Sequence, residues 1–151
     1  MLQSRFTHRA VLACALLLGG CMLVSGGQSS SDALPDGGNI SASFVGADGS
    51  SFTASSAGQA VTLSSANVFN GKTISIHSGA DASITADALK FASSTIAGKL
   101  IATATSGSIT QTGALSLGAD GNSFSTSGAR QAITLNAANL FGSNTDAFNS
   151  S

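Results

Sequence analysis

Ala47–Asn70 reads ADGSSFTASSAGQAVTLSSANVFN, and Ala119–Gly142 reads ADGNSFSTSGARQAITLNAANLFG. The two stretches align without a gap at an offset of 72 positions, from Ala47 to Ala119. Fourteen of the 24 aligned positions are identical, among them Phe52/Phe124, Gln59/Gln131, Asn67/Asn139 and Phe69/Phe141. Small residues dominate this chain and inflate chance matches, but these four pairs are not filler. Gly58 aligns with Arg130, which predicts an exposed position. An internal copy of this kind marks a repeat architecture, in which each unit covers the next.

A weaker match relates Ser83-Ile84-Thr85-Ala86 to Ser108-Ile109-Thr110-Gln111, at an offset of 25 positions. Together the two offsets predict a unit about 24 positions long, the length of one coil of a solenoid, and place the two copies three coils apart. Within the units the apolar residues alternate with hydroxyl residues, as in Val61-Thr62-Leu63, Ile74-Ser75-Ile76, Leu115-Ser116-Leu117 and Ile133-Thr134-Leu135. Period-two alternation is the pattern of a strand with one buried face. Glycine-containing turns separate the strands, at Asp48-Gly49, Asn70-Gly71, Ser78-Gly79, Ser106-Gly107 and Asp120-Gly121. The core candidates are Val61, Leu63, Ile74, Ile76, Ile109, Leu115, Leu117, Ile133 and Leu135. The expected fold is all-β: a short right-handed parallel β-helix, or β-solenoid, of about four to five coils, after an N-terminal signal peptide helix. An antiparallel sandwich is the rival.

Composition agrees. The 151 residues include no Tyr, no Trp and a single Pro, and 9% are charged, against roughly 25% in an ordinary soluble domain. Disorder requires low hydrophobicity with high net charge; here hydrophobic residues make up 42% and net charge is −1. Ser and Thr supply polarity without charge on an extended backbone. No basic stripe exists, so the electrostatic footprint of a nucleic-acid partner is missing.

The start of the chain reads as an export signal. Arg5, His8 and Arg9 make a positive segment, Ala10–Leu18 an apolar one, and small residues follow. The apolar run to Val24 is shorter than the roughly 20 residues that span a bilayer. Leu18-Gly19-Gly20-Cys21 resembles the lipobox of bacterial lipoproteins, which implies acylation of Cys21 as the new N-terminus. A cleavable secretory signal cut nearer Ser25–Gly27 is the alternative. Cys14 leaves with the signal and Cys21 then has no disulfide partner. The expected organisation is 1–20 signal peptide, 21–38 Gly/Ser-rich tether, 39–145 β-solenoid repeat domain and 146–151 frayed tail.

Ser106–Leu115, SGSITQTGAL, followed by Ala132–Asn139, AITLNAAN, resembles the repeat region of filamentous-haemagglutinin-type adhesins, which pass through two-partner secretion, and of some autotransporter passengers. The resemblance covers about residues 39–145. It implies a right-handed parallel β-helix and an adhesive or structural role at the cell surface. Asn-Pro motifs of the secretion domain are not found, which leaves a short lipoprotein relative or a fragment of a longer adhesin.

The remaining residues offer few catalytic groups. His77 alternates with Ile74 and Ile76 and should face solvent. A zinc site needs three or four clustered ligands, and no Gly-x-Ser-x-Gly occurs. A glycosidase needs two carboxylates across the scissile bond. Asp48 and Asp120 precede glycines, where Asp makes turns, while Asp81 and Asp87 could approach one another. Asn67 and Asn139 should satisfy backbone groups at a corner. The expectation is therefore a non-enzyme with no catalytic residue, no metal and no cofactor: an exported adhesin-like or structural β-repeat module. It would be lipid-anchored through Cys21 at the outer membrane or cell surface, or else secreted. Its partners would be the membrane through its acyl groups, a glycan or host-surface protein, and another copy through end-to-end association at Ile133–Phe141. The alternatives are a fragment of a larger filamentous adhesin and a polysaccharide-acting β-helix enzyme.

Overall fold

The computed structural model describes residues 48–142 and 145–151. The predicted signal peptide, Cys21, the tether and the start of the repeat domain near Asn39 lie outside the described residues. The described part is all-β, with every strand pair parallel. It is a β-solenoid of about five turns.

The chain winds alternately through two sheets. The first holds β1 (Ser50–Ala54), β3 (Thr73–Ser78), β5 (Leu89–Phe91), β6 (Ser94–Ile96), β8 (Ile109–Gln111) and β9 (Leu115–Leu117). Single bridges Ile109↔Ile133 and Ser116↔Leu140 add a last level to it. The second sheet holds β2 (Val61–Asn67), β4 (Ala82–Ala86), β7 (Leu100–Ala104), β10 (Ser123–Thr126) and β11 (Ala147–Asn149). A three-residue strand cannot bury a face by itself, so each level is stable only on its neighbours.

Coil length is not fixed at 24. Ser50 pairs with Ile74, 24 positions on, but Ile74 pairs with Phe91, Leu89 with Ile109 and Ala82 with Leu100. These offsets are 17, 20 and 18. The turns absorb the difference while the inward alternation is kept. One consequence overturns the expected three-coil spacing of the long repeat: the first copy enters through β1 in the first sheet, and the second enters through β10 in the other sheet. Each copy still makes one full coil. Ser50 returns to Ile74, and Ser123 returns to Ala147, both after 24 positions. Within each copy the equivalent phenylalanines meet at nearly the same distance, Phe52–Phe69 at 6.0 Å edge-on and Phe124–Phe141 at 5.9 Å tilted, between ring centroids.

The core is the continuous inner column between the sheets. Val61, Leu63, Ile74, Ile76, Ile109, Leu115 and Leu117 are all buried, as predicted, and Phe69, Ile84, Phe91 and Phe124 join them. Ile133 and Leu135 depart from the expectation. They point at the core but are only partly buried, because they belong to the last coil. Small and large residues alternate along the stack, as where Ala102 lies between Ile84 and Phe124. Residues 146–151, expected as a frayed tail, instead include β11, which pairs in register with β10. Phe148 stacking on Phe124 gives that segment an anchor that its polar composition hides.

Corners bring successive coils close. A Cβ on Gly79 would lie 1.9 Å from the Ser56 carbonyl oxygen, and one on Gly98 would lie 2.7 Å from the Asp81 nitrogen. Only glycine permits that approach. At the opposite extreme Gly58 and Arg130, aligned in the repeat, are both exposed and both have positive φ, 80° and 60°.

Candidate functional surface

Parallel in-register stacking lines up the outward residues in ranks about 4.8 Å apart. On the second sheet one rank runs Thr62, Ser83, Ile101, Ser123, Ala147, and its neighbour runs Thr85, Thr103, Ser125, Asn149. None of these carries a charge. On the first sheet the ranks are Thr53, His77, Thr95, Ser116, Leu140 and Thr73, Lys90, Thr110. The molecule therefore presents one neutral hydroxyl face and one hydroxyl face that carries an amine and an imidazole. His77 sits outward in its rank, between Thr53 and Thr95, and is half-buried by them rather than free in solvent.

The carboxylates act as staples between coils. Asp48 accepts the Thr73 N–H at 2.7 Å and also the Thr73 hydroxyl. Those two bonds, the hydroxyl first, hold its carboxyl below the usual carboxylate value, with a smaller contribution from the charges of Lys90 and Lys72. Asp87 accepts the N–H groups of Phe69 and Asn70, at 2.7 and 2.9 Å. Asp81 accepts the Lys99 N–H at 3.0 Å, and its other oxygen lies 4.0 Å from the exposed Lys99 ammonium. Asp146 accepts two bonds from Asn122.

This arrangement corrects the expectation that Asp81 and Asp87 could approach one another. They flank β4 at its two ends, six residues apart along extended chain, or roughly 20 Å at 3.3 Å per residue. Asp48 and Asp120 precede strands of opposite sheets. Among the described residues no group of three or more His, Cys, Asp or Glu could hold a metal ion.

Asn67 is nearly fully buried, and its amide donates to the carbonyls of Leu63, Ser65 and Thr85, at 2.9, 2.7 and 2.8 Å. The register of β2 on β4 shifts between Leu63 and Asn67, so the side chain supplies the donors that the interrupted ladder lacks. Asn139 repeats the bond, to the Leu135 carbonyl at 3.3 Å, and pairs with the Gln111 amide. The predicted backbone-satisfying role of both asparagines is what the structure has. Asn122 is a further member that the repeat pattern does not signal. It aligns with Ser50, yet it is fully buried, with its Oδ1 on the Leu100 N–H at 2.8 Å.

Residues 79–147 match a family model described as "Repeats of unknown function (DUF5649)". That span runs from the turn before β4 into β11. No curated protein and no solved structure matches the chain. The match agrees with the stacked architecture in identifying this stretch as repeat sequence.

Proposed function

We propose that the protein is an exported, non-catalytic surface module, adhesin-like or structural, held to the outer membrane or cell surface by lipid on Cys21. The observation that carries this reading is the pair of extended hydroxyl faces, ranked in register along a stack whose polar turn groups are committed to holding coils together. Such faces offer many equivalent hydrogen-bonding groups to a large partner, in keeping with a glycan or a host-surface protein. The Leu18–Cys21 motif supports lipid attachment, and the likeness to filamentous-haemagglutinin repeats supports surface display. Two or more acyl chains would anchor stably where one is marginal.

Two measurements test it. A fatty-acid analogue fed to expressing cells should label the wild type and not Cys21→Ser; equal labelling removes the anchor. Cells displaying the protein should bind a glycan or host-protein panel better than cells displaying the chain with Thr85, Thr103 and Ser125 all changed to Asp. Equal binding by both removes the neutral face from the reading. Release of new reducing ends from any glycan in the panel would favour a polysaccharide-acting enzyme instead.

A further inference from the structure

The 24-residue block that occurs twice carries its own control. In the first copy β3 and β4 lie over the coil, and Val61, Leu63 and Phe69 are wholly buried. In the second copy β11 covers β10 and the Phe148 ring lies 6.3 Å from that of Phe141, but among the described residues no strand pairs over the level at Ile133–Leu140. The equivalent side chains Ile133, Leu135 and Phe141 are only partly buried, and Leu140 is 67% exposed where Val68 is 38%. This level is a sheet edge with an alternating apolar side, the kind of edge that recruits another strand.

We propose that this face pairs with the same face of a second copy, tail to tail, in a closed two-fold dimer. The first copy shows what this level accepts: β4, an extended segment that lays Ala82 and Ile84 beside Val61 and Leu63 at alternate positions. Ile133-Thr134-Leu135 offers an alternating apolar side on a second molecule, and a two-fold axis along the sheet normal sets the two edges antiparallel with their apolar sides on the same face. Among the described residues the opposite end shows no comparably exposed apolar counterpart. Phe52, Val61, Leu63 and Phe69, in the first described coil, are between 0% and 4% exposed. Charge does not oppose the contact. From Gly128 to Ser151 the charged side chains are Arg130 and Asp146, of opposite sign, and Asp146 is tied to Asn122. A face that meets itself closes the assembly at two, whereas head-to-tail contact would propagate.

Sedimentation of the full chain over a concentration series tests the proposal, with a mild detergent shielding its apolar N-terminal segment. The wild type should move from monomer to dimer and stop there. Leu140→Lys should weaken the dimer at least tenfold, while Ile101→Lys, which changes an exposed apolar residue on the neutral face, should leave it intact; both should keep the wild-type circular dichroism. A monomer at every concentration, a ladder of larger species, or equal association by Leu140→Lys would each overturn it.

Discussion

The rings of Phe124 and Phe148 stack with centroids 5.2 Å apart and planes 2° from parallel, one 24-residue coil separating them. Phe124 is fully buried and Phe148 is 51% exposed, so this pair marks where the interior of the solenoid gives way to its end. Phe124→Ala should cost about 3–5 kcal/mol, the range for truncating a buried aromatic. Phe148→Ala should cost about 1 kcal/mol, close to the value of an aromatic pair alone. Urea unfolding of the two variants measures both, and equal losses would mean that β11 is as enclosed as β10.

Ile84 and Thr85 are neighbours on β4 that face opposite ways. Ile84→Asp buries a charge with no partner and should unfold the domain, while Thr85→Asp should change stability by about 0.5 kcal/mol or less. The same substitution at Ile133 should be milder than at Ile84, since Ile133 is only partly covered. Thermal unfolding followed by circular dichroism distinguishes the three.

Two glycines separate space from backbone conformation. Gly79 faces the Ser56 carbonyl at a distance no Cβ tolerates, whereas Gly49 has open space around it but a φ of +77°. Gly79→Ala should force the coils apart, costing at least the roughly 1–3 kcal/mol of overpacking. Gly49→Ala meets only the left-handed penalty of about 1–2 kcal/mol. The order of the two denaturation midpoints checks this.

Asp48 is held below the usual carboxylate value by its bonds to Thr73. A carboxylate whose folded pKa is depressed stabilises the fold above its unfolded pKa of about 3.9, and that contribution is lost as pH falls through the folded value. Stability should therefore decline below about pH 4, and Asp48→Asn should flatten part of that decline. Its exposure keeps the effect small. An unchanged acid limb in Asp48→Asn would show that the Thr73 bonds contribute nothing in solution.

Strand phase, turn positions and most of the core were legible because period-two alternation depends on local sequence alone. Coil length was not. The 72-residue copy suggested three equal coils, but the intervening chain makes shorter ones, with offsets of 17 and 18 at Ile74–Phe91 and Ala82–Leu100. Sequence identity between copies reports that each makes the same coil, and says nothing about which sheet it enters. The staples were also hidden. Asp87 and Asn122 look like ordinary turn residues, and their role appears only when the fold brings Phe69, Asn70 and Leu100 beside them.

The central claim is a parallel solenoid with this register, and a single cross-link tests it most directly. Thr85 and Thr103 are adjacent outward residues of β4 and β7, 18 positions apart. In a chain with Cys14 and Cys21 changed to Ser, the pair Thr85→Cys and Thr103→Cys should oxidise to an intrachain disulfide, since neighbouring strands about 4.8 Å apart fall within disulfide reach. The product should keep the wild-type circular dichroism. Failure of that pair to bond within the folded chain would contradict the account.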